Sequence, residues 1–173
     1  MKSTRKKNGK ENVPANLLEE PAAAYYTRFS SVHYPIVLMG LKDDQAFKTI
    51  HNTADFIGRI REGLPKKALD HLAQVMGVSS AEIAGMIHTS DRTLRRYTPA
   101  QKLNAGQSER IIELARLYAR GAEVFDGLDT FKTWMVTPVD ALGAKKPIEY
   151  LDTSIGIELL MDELGRIEQG IFA

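Results

Sequence analysis

Residues 79–97, SSAEIAGMIHTSDRTLRRY, constrain the fold of this chain more than any other stretch. Ser79 or Ser80 can cap a short helix, and Glu82 stands at the spacing of a capping-box partner. Apolar side chains then recur at helical spacing in two groups, Ile83, Ala84 and Ile87 followed by Leu94 and Tyr97. The residues between the two groups, which supply a turn and a new helix cap, are His88, Thr89 and Ser90. The stretch therefore predicts two short helices joined by a tight turn.

The second of these helices exposes polar and basic side chains that suit contact with DNA. They are Ser90, Arg92, Thr93, Arg95 and Arg96. Two helices in this arrangement form a helix-turn-helix, in which the second helix lies in the major groove. Arginine can bind O6 and N7 of guanine or pair with a phosphate, while Ser90 and Thr93 could reach a phosphate or a thymine methyl group. We therefore predict a DNA-binding surface on the second helix.

The turn departs from the usual pattern of this motif. His88 stands where glycine is usual, and Thr89 stands where a β-branched aliphatic residue is common. One alternative is an ordinary helical hairpin whose basic face is solvated. Another is that one of the arginines pairs with Asp91 or a different acid. A third is a protein that keeps its other partner but binds DNA weakly.

Charge is distributed unevenly along the chain, although the net charge is only +1. Residues 1–10 carry five Lys/Arg and no acid, and residues 58–102 carry eight Lys/Arg and four Asp/Glu. Residues 123–173 carry ten acids and four bases. Because phosphate attracts a basic surface and repels an acidic one, we expect the middle and the end of the chain to bind different partners.

Several classes of function lack their usual residues. The chain has no cysteine, which excludes disulfides, thiolate metal sites and a cysteine nucleophile and is compatible with a reducing, cytoplasmic setting. The four histidines match no metal-site spacing, and no Walker loop, nucleophile elbow or dinucleotide fingerprint is present. No apolar run is long enough to cross a membrane, and no apolar region follows the basic start as in a secretory signal. We therefore expect a cytoplasmic protein that is not an enzyme and uses no metal or cofactor.

Helical periodicity elsewhere predicts an all-α fold. The predicted helices comprise residues 17–29, 43–52, 54–62, 65–76, 107–125, 130–135, 148–151 and a last helix capped within residues 152–154. Thr53 and Asp129 are the expected caps of two of them, and Ile57 is expected to face inward. Residues 31–41 are consistent with either a strand or a buried extended link. The apolar arc of helix 107–125 is so wide that it must pack against two bodies, a DNA-binding core and a second domain or subunit.

The last third of the chain carries an ordered series of short motifs. They are Trp134, Thr137-Pro138, Ala141-Leu142-Gly143, Pro147-Ile148-Glu149, Leu151-Asp152-Thr153, Gly156 and residues 164–170, LGRIEQG. In this order, behind a helix-turn-helix, they resemble the toxin-binding domain of the Xre/MbcA/ParS family of antitoxins. The resemblance covers roughly residues 56–173.

This resemblance implies an antitoxin that is encoded beside a RES-domain toxin, a class of enzyme that degrades NAD. Such an antitoxin would neutralise the toxin by contact, form a homodimer and repress its operon by binding operator DNA. It would present its C-terminal region to the active-site cleft of the toxin. In this sequence, that region contains Arg166, Glu168, Gly170, Ile171, Phe172 and Ala173. The alternative is a DNA-binding regulator whose C-terminal domain only dimerises or binds another ligand.

We therefore predict four parts, with a helix-turn-helix core joined by a long helix to a small helical domain. Residues 1–16 are expected to form a disordered basic arm and residues 17–52 an N-terminal helical extension. Residues 53–106 form the Xre-like helix-turn-helix domain, and residues 107–173 form the toxin-binding and dimerisation domain. We expect a dimer because helix-turn-helix proteins usually read two half-sites and because the wide apolar arc of helix 107–125 needs partners.

Overall fold

The computed structural model describes residues 32–170, so the predicted arm and the helix at 17–29 lie outside the described residues. The described part is entirely helical and contains no β-strand, which confirms the all-α prediction. Its α-helices are α1 (His33–Leu38), α2 (Asp55–Glu62), α3 (Lys66–Met76), α4 (Ser80–Met86), α5 (Asp91–Arg96), α6 (Ala105–Val124), α7 (Leu128–Met135) and α8 (Ser154–Glu168). Two 3-10 helices, Asp140–Leu142 and Pro147–Tyr150, connect α7 to α8.

The long helix α6 lies at the centre of the molecule. A capping box between Asn104 and Gln107 begins it. Helices α1, α2 and α3 contact α6, and so do α7 and α8. The apolar residues of all these elements form one continuous buried cluster. Helices before and after α6 in the same chain therefore cover its wide apolar arc within one core, so the arc is no evidence for a partner subunit.

Close packing of aromatic rings fixes α7 on α6. The ring of Phe131 lies edge-on to that of Tyr118, with 5.1 Å between the centroids. The same ring covers Gly121, where a Cβ atom would lie 2.3 Å from Phe131 Cε2. Glycine at this position therefore lets the two helices approach each other.

The segment before α2 differs from the prediction. Residues 33–38 form the helix α1 and not a strand or an extended link; Pro35 is tolerated because it lies in the first turn, where its missing N–H would have no helical partner. Residues 43–52 form successive turns and not a helix. The Asp44 carboxylate accepts the N–H of Ala46 at 3.1 Å and so stabilises a turn locally. Phe47 and Ile50 are nevertheless buried in the core.

Two predicted helix caps and one predicted core residue are also wrong. Asn52 Oδ1, and not Thr53, accepts the N–H of Ala54 at 2.8 Å at the start of α2. Asp129 lies within the first turn of α7, which begins after Gly127. Ile57 is 48% exposed, because α2 turns its neighbour Phe56 toward the core and successive residues lie about 100° apart around a helix.

Candidate functional site

A reciprocal cap fixes the start of α4, the first helix of the helix-turn-helix. The Ser79 hydroxyl accepts the N–H of Glu82 at 3.2 Å, and the Glu82 carboxylate accepts the N–H of Ser79 at 2.7 Å. The hydrogen bond from the Ser79 hydroxyl lowers the pKa of Glu82. The predicted capping box is therefore confirmed.

The turn between α4 and α5 accommodates histidine in a conformation that favours glycine. His88 has a φ of 57°. The N–H of Thr89 then donates to the carbonyl of Ala84 at 2.9 Å, and Ser90 caps α5 by accepting the N–H of Thr93 at 3.0 Å. His88 therefore preserves the backbone path of the turn.

The short helix α5 presents the predicted DNA-contacting side chains together. Ser90, Arg92, Arg95 and Arg96 are exposed, Thr93 is half-buried, and the buried Leu94 anchors the helix. Arg95 pairs with Asp91 at 2.7 Å, which is the pairing considered as an alternative for one of the arginines. Among residues 32–170, neither Arg92 nor Arg96 has an acidic partner. These two guanidinium groups are therefore available to phosphate or base edges.

Asp91 is itself held at the start of α5. The Ser80 hydroxyl donates to its carboxylate at 2.5 Å, and this bond, followed by the bond from Arg95, lowers the pKa of Asp91. Asp91 is therefore ionised, and its carboxylate is already engaged by the Ser80 hydroxyl and by Arg95.

The C-terminal end of α8 carries the other predicted site. Arg166 Nε lies 3.4 Å from Glu163 Oε2, and Glu168 pairs with Arg120 of α6. Arg166 and Glu168 therefore point to different neighbours within the chain. Gly170 has a φ of 68° and follows the end of the helix. Ile171, Phe172 and Ala173 lie outside the described residues.

Two side chains of α6, Tyr118 and Glu123, each have an oxygen atom that is buried without a hydrogen-bond partner among the described residues. Burial raises the pKa of the Glu123 carboxyl, although Arg120 donates to it at 3.3 Å. Burial also raises the pKa of the Tyr118 hydroxyl, which has no hydrogen-bond partner in the described structure. The carboxylates of Glu123 and Glu168 both pair with Arg120, so two acids share one guanidinium where α6 meets the end of α8.

A third group of polar contacts was not predicted. Arg110 is buried on α6 and donates to the carbonyls of Met86 at 3.2 Å and Leu151 at 2.5 Å. The His88 ring, through Nε2, lies 2.7 Å from the carbonyl oxygen of Asp152. One signal in the sequence points to Arg110, namely a charge within the apolar arc of α6, but local periodicity does not reveal its long-range partners.

A further histidine, His71, makes a structural contact between two helices. His71 Nδ1 lies 2.9 Å from the carbonyl oxygen of Leu38, so it joins α3 to α1. Within residues 32–170, no group of three or more His, Asp or Glu side chains is arranged to hold a metal ion. None of the helices in the same range combines the length and hydropathy that a membrane span requires.

Comparison with known proteins identifies both halves of the chain. The antitoxin Xre-like helix-turn-helix domain matches residues 55–116, and the antitoxin Xre/MbcA/ParS C-terminal toxin-binding domain matches residues 120–170. The Antitoxin Xre of Yersinia enterocolitica is 31% identical over 120 residues, which cover 68% of this chain and 80% of that protein. This chain belongs to the Xre/MbcA/ParS family of antitoxins.

Two further relatives extend the comparison. The Antitoxin Xre of Photorhabdus laumondii is 31% identical over 114 residues, covering 65% of this antitoxin and 77% of that protein. The Prs ADP-ribosylating antitoxin of Sphingobium sp. is 26% identical over 140 residues, covering 74% of this antitoxin and 88% of that protein. The matched domains imply a cognate toxin as one partner of this antitoxin and DNA as the other.

Proposed function

We propose that this antitoxin binds and inhibits a RES-domain toxin that degrades NAD, and that it represses its own operon through the helix-turn-helix. The observation that carries the proposal is the presence, in one compact chain, of a toxin-binding domain directly behind a helix-turn-helix with exposed arginines. The segments that carry the two proposed functions have net charges of opposite sign, as expected if they bind different partners.

The toxin-binding part of the proposal is based on the C-terminal domain. The name of the Sphingobium relative connects that protein with ADP-ribosylation, a reaction that consumes NAD, and this supports an NAD-consuming toxin as the target here. We propose that Arg166, Glu168 and Gly170 contact the toxin together with the last three residues.

The proposed insertion of the C-terminal region has a simple physical basis. Gly170 follows the end of α8 in a left-handed conformation, so the chain turns out of the helix there. Ile171 and Phe172 then supply two large apolar side chains. Such side chains can fill an apolar cleft.

The DNA-binding part of the proposal is based on the exposed side chains of α5. Arg92 and Arg96 are exposed without acidic partners among the described residues, and Ser90 and Thr93 lie beside them. We propose that these side chains and Arg95 contact operator DNA, with Arg95 exchanging Asp91 for a phosphate or base. Two half-sites require two copies of the motif, so the active species is a homodimer within the toxin complex.

The test uses the product of the adjacent toxin gene. Co-expression with this antitoxin should yield a complex that survives size-exclusion chromatography, and the complex should consume NAD far more slowly than the free toxin. A toxin that remains fully active at excess antitoxin would contradict the inhibitory half. Gel-shift titration with the DNA upstream of the antitoxin gene tests the repressor half, and equal affinity for unrelated DNA would contradict it.

A further inference from the structure

A polar joint connects the helix-turn-helix to the start of the last helix. Two side chains form one side of the joint, His88 in the turn and Arg110 on α6; residues 151–154 form the other side. His88 Nε2 lies 2.7 Å from the carbonyl oxygen of Asp152. Arg110 donates to the carbonyl of Leu151 at 2.5 Å and to the hydroxyl of Ser154 at 3.1 Å. Two separate side chains thus hold the same four-residue segment.

Arg110 also ties this segment to the end of α4. Its Nε donates at 3.2 Å to the carbonyl of Met86, the last residue of that helix. A contact to Glu113 at 2.6 Å completes the set, so the buried guanidinium has partners on both its Nη atoms and on Nε. Because a buried guanidinium without partners is costly, these contacts specify one geometry, unlike an apolar surface that can slide.

The backbone conformation at His88 indicates that its side chain has a role beyond the turn itself. The φ of 57° would be adopted more readily by glycine. Glycine would leave the turn intact but would remove the ring that reaches Asp152. The histidine therefore adds a contact with the toxin-binding domain to a turn that does not itself need a side chain.

We propose that this joint fixes the orientation of α5 relative to the toxin-binding domain, and that His88 and Arg110 are positioning residues for DNA contact. Helix α5 is six residues long and starts just after the turn, so its direction follows from that of the turn. A tilt of the turn would move Arg92 and Arg96 away from the groove. Only the DNA consequence rests on the repressor function proposed above.

The orientation of α5 can be measured without DNA. Since the chain has no cysteine, spin labels can be placed at the exposed positions Arg96→Cys and Glu158→Cys with no background label. Electron-electron double resonance on labelled chains diluted with an excess of unlabelled wild type, so that a homodimer carries one labelled copy, should give one narrow distance distribution. His88→Gly should broaden or shift it, while His88→Gln, whose amide N–H can replace the ring N–H, should restore it. A distribution unchanged by His88→Gly would overturn the proposal.

Ala144→Gly is the matched control, because Ala144 also has a positive φ, 58°, but lies between α7 and α8. It reproduces the backbone effect of the glycine and should leave the distance distribution unchanged. A broadening by Ala144→Gly equal to that by His88→Gly would overturn the proposal. Arg110→Met removes a buried group with several partners and risks unfolding, so the His88 variants carry the test.

The DNA consequence is measured on the unlabelled full chain with the DNA upstream of its gene. His88→Gly should bind up to about five-fold more weakly, because binding must then restore an orientation that one hydrogen bond of about 1 kcal/mol had maintained, and it should still unfold in one cooperative transition. His88→Gln and Ala144→Gly should bind like the wild type, and His88→Gly should still inhibit the toxin. Wild-type affinity in His88→Gly would overturn the positioning role. If the wild type does not bind this DNA, the proposed repressor function fails, and the distance measurement alone decides on the joint.

Discussion

Gly156 in the first turn of α8 lies directly against the carbonyl group of Tyr150, since a Cβ atom at Gly156 would be 2.0 Å from that oxygen. The start of α8 is thereby seated on the 3-10 helix Pro147–Tyr150, and Thr153 caps it by accepting the N–H of Gly156 at 3.0 Å. Packing thus explains why glycine occupies position 156: a side chain there would clash with the Tyr150 oxygen, which belongs to the backbone and cannot rotate away.

Gly156→Ala should therefore destabilise the fold by about 1–3 kcal/mol or more, as overpacking does. Gly165→Ala on the same helix is the control, because no atom lies within 4 Å of its added Cβ. That variant should raise the free energy of unfolding by about 0.5–1 kcal/mol, since alanine favours helix interiors. Urea unfolding followed by circular dichroism measures both. Equal stability of the two variants would contradict this packing account.

The pKa of Glu123 leads to a prediction about pH. Burial raises the pKa of this carboxyl, so the folded protein pays for ionising it at neutral pH, and the contribution is unfavourable above the folded-state pKa. Glu123→Gln should accordingly raise the melting temperature at pH 7. The gain should shrink as the pH falls through the raised folded-state value and should vanish below the ordinary glutamate pKa. A gain that is constant from pH 7 to pH 4 would contradict this interpretation.

The arginines of α5 should contribute unequally to DNA binding. Arg92→Ala and Arg96→Ala should each weaken binding by about 1–3 kcal/mol if they read a base, or reduce the salt slope by about one if they contact a phosphate. Arg95→Ala should have a smaller effect, because Arg95 must first leave Asp91. Gel-shift titrations at several salt concentrations distinguish these cases. Arg116→Ala, at an exposed position on α6, is the control, and an equal loss there would indicate nonspecific charge effects.

The ion pair between Glu168 and Arg120 allows a direct contact of Glu168 with the toxin to be distinguished from a role in holding the end of α8 against α6. Their ion pair is partly exposed and should contribute only about 0–1 kcal/mol to stability. If Glu168 contacts the toxin as proposed, Glu168→Ala should weaken toxin binding by more than about 1 kcal/mol, as interface hot spots do, and by more than Arg120→Ala does. Isothermal titration with the toxin gives both values. Equal losses would instead assign Glu168 to supporting the end of α8.

Local signals account for much of what the sequence predicted about this fold. Some features involve only neighbours within a few residues and are therefore visible in the sequence. They are the capping box at Ser79, the apolar spacing of α3, α4 and α6, and the left-handed Gly77 after α3. The ordered motifs of the last third likewise carry the resemblance to the antitoxin family, because each motif is a short local stretch.

Two kinds of feature were not predicted from the sequence. One kind depends on partners far along the chain, and the other depends on local competition between a helix and turns. Arg110 meets Leu151 and Met86, and His88 meets Asp152, none of which periodicity can pair with them. In residues 43–52, the apolar spacing of Phe47 and Ile50 suggested a helix. Short polar side chains such as that of Asp44 bond the backbone there and favour turns.

Truncation after Gly170 tests the central proposal most directly, because it removes only Ile171, Phe172 and Ala173 and leaves α8 complete. The truncated protein should keep the thermal melt of the full chain. It should no longer stop NAD consumption by the purified toxin at concentrations where the full chain stops it. Undiminished inhibition by the truncated protein would contradict the proposal that the C-terminal region occupies the active-site cleft of the toxin.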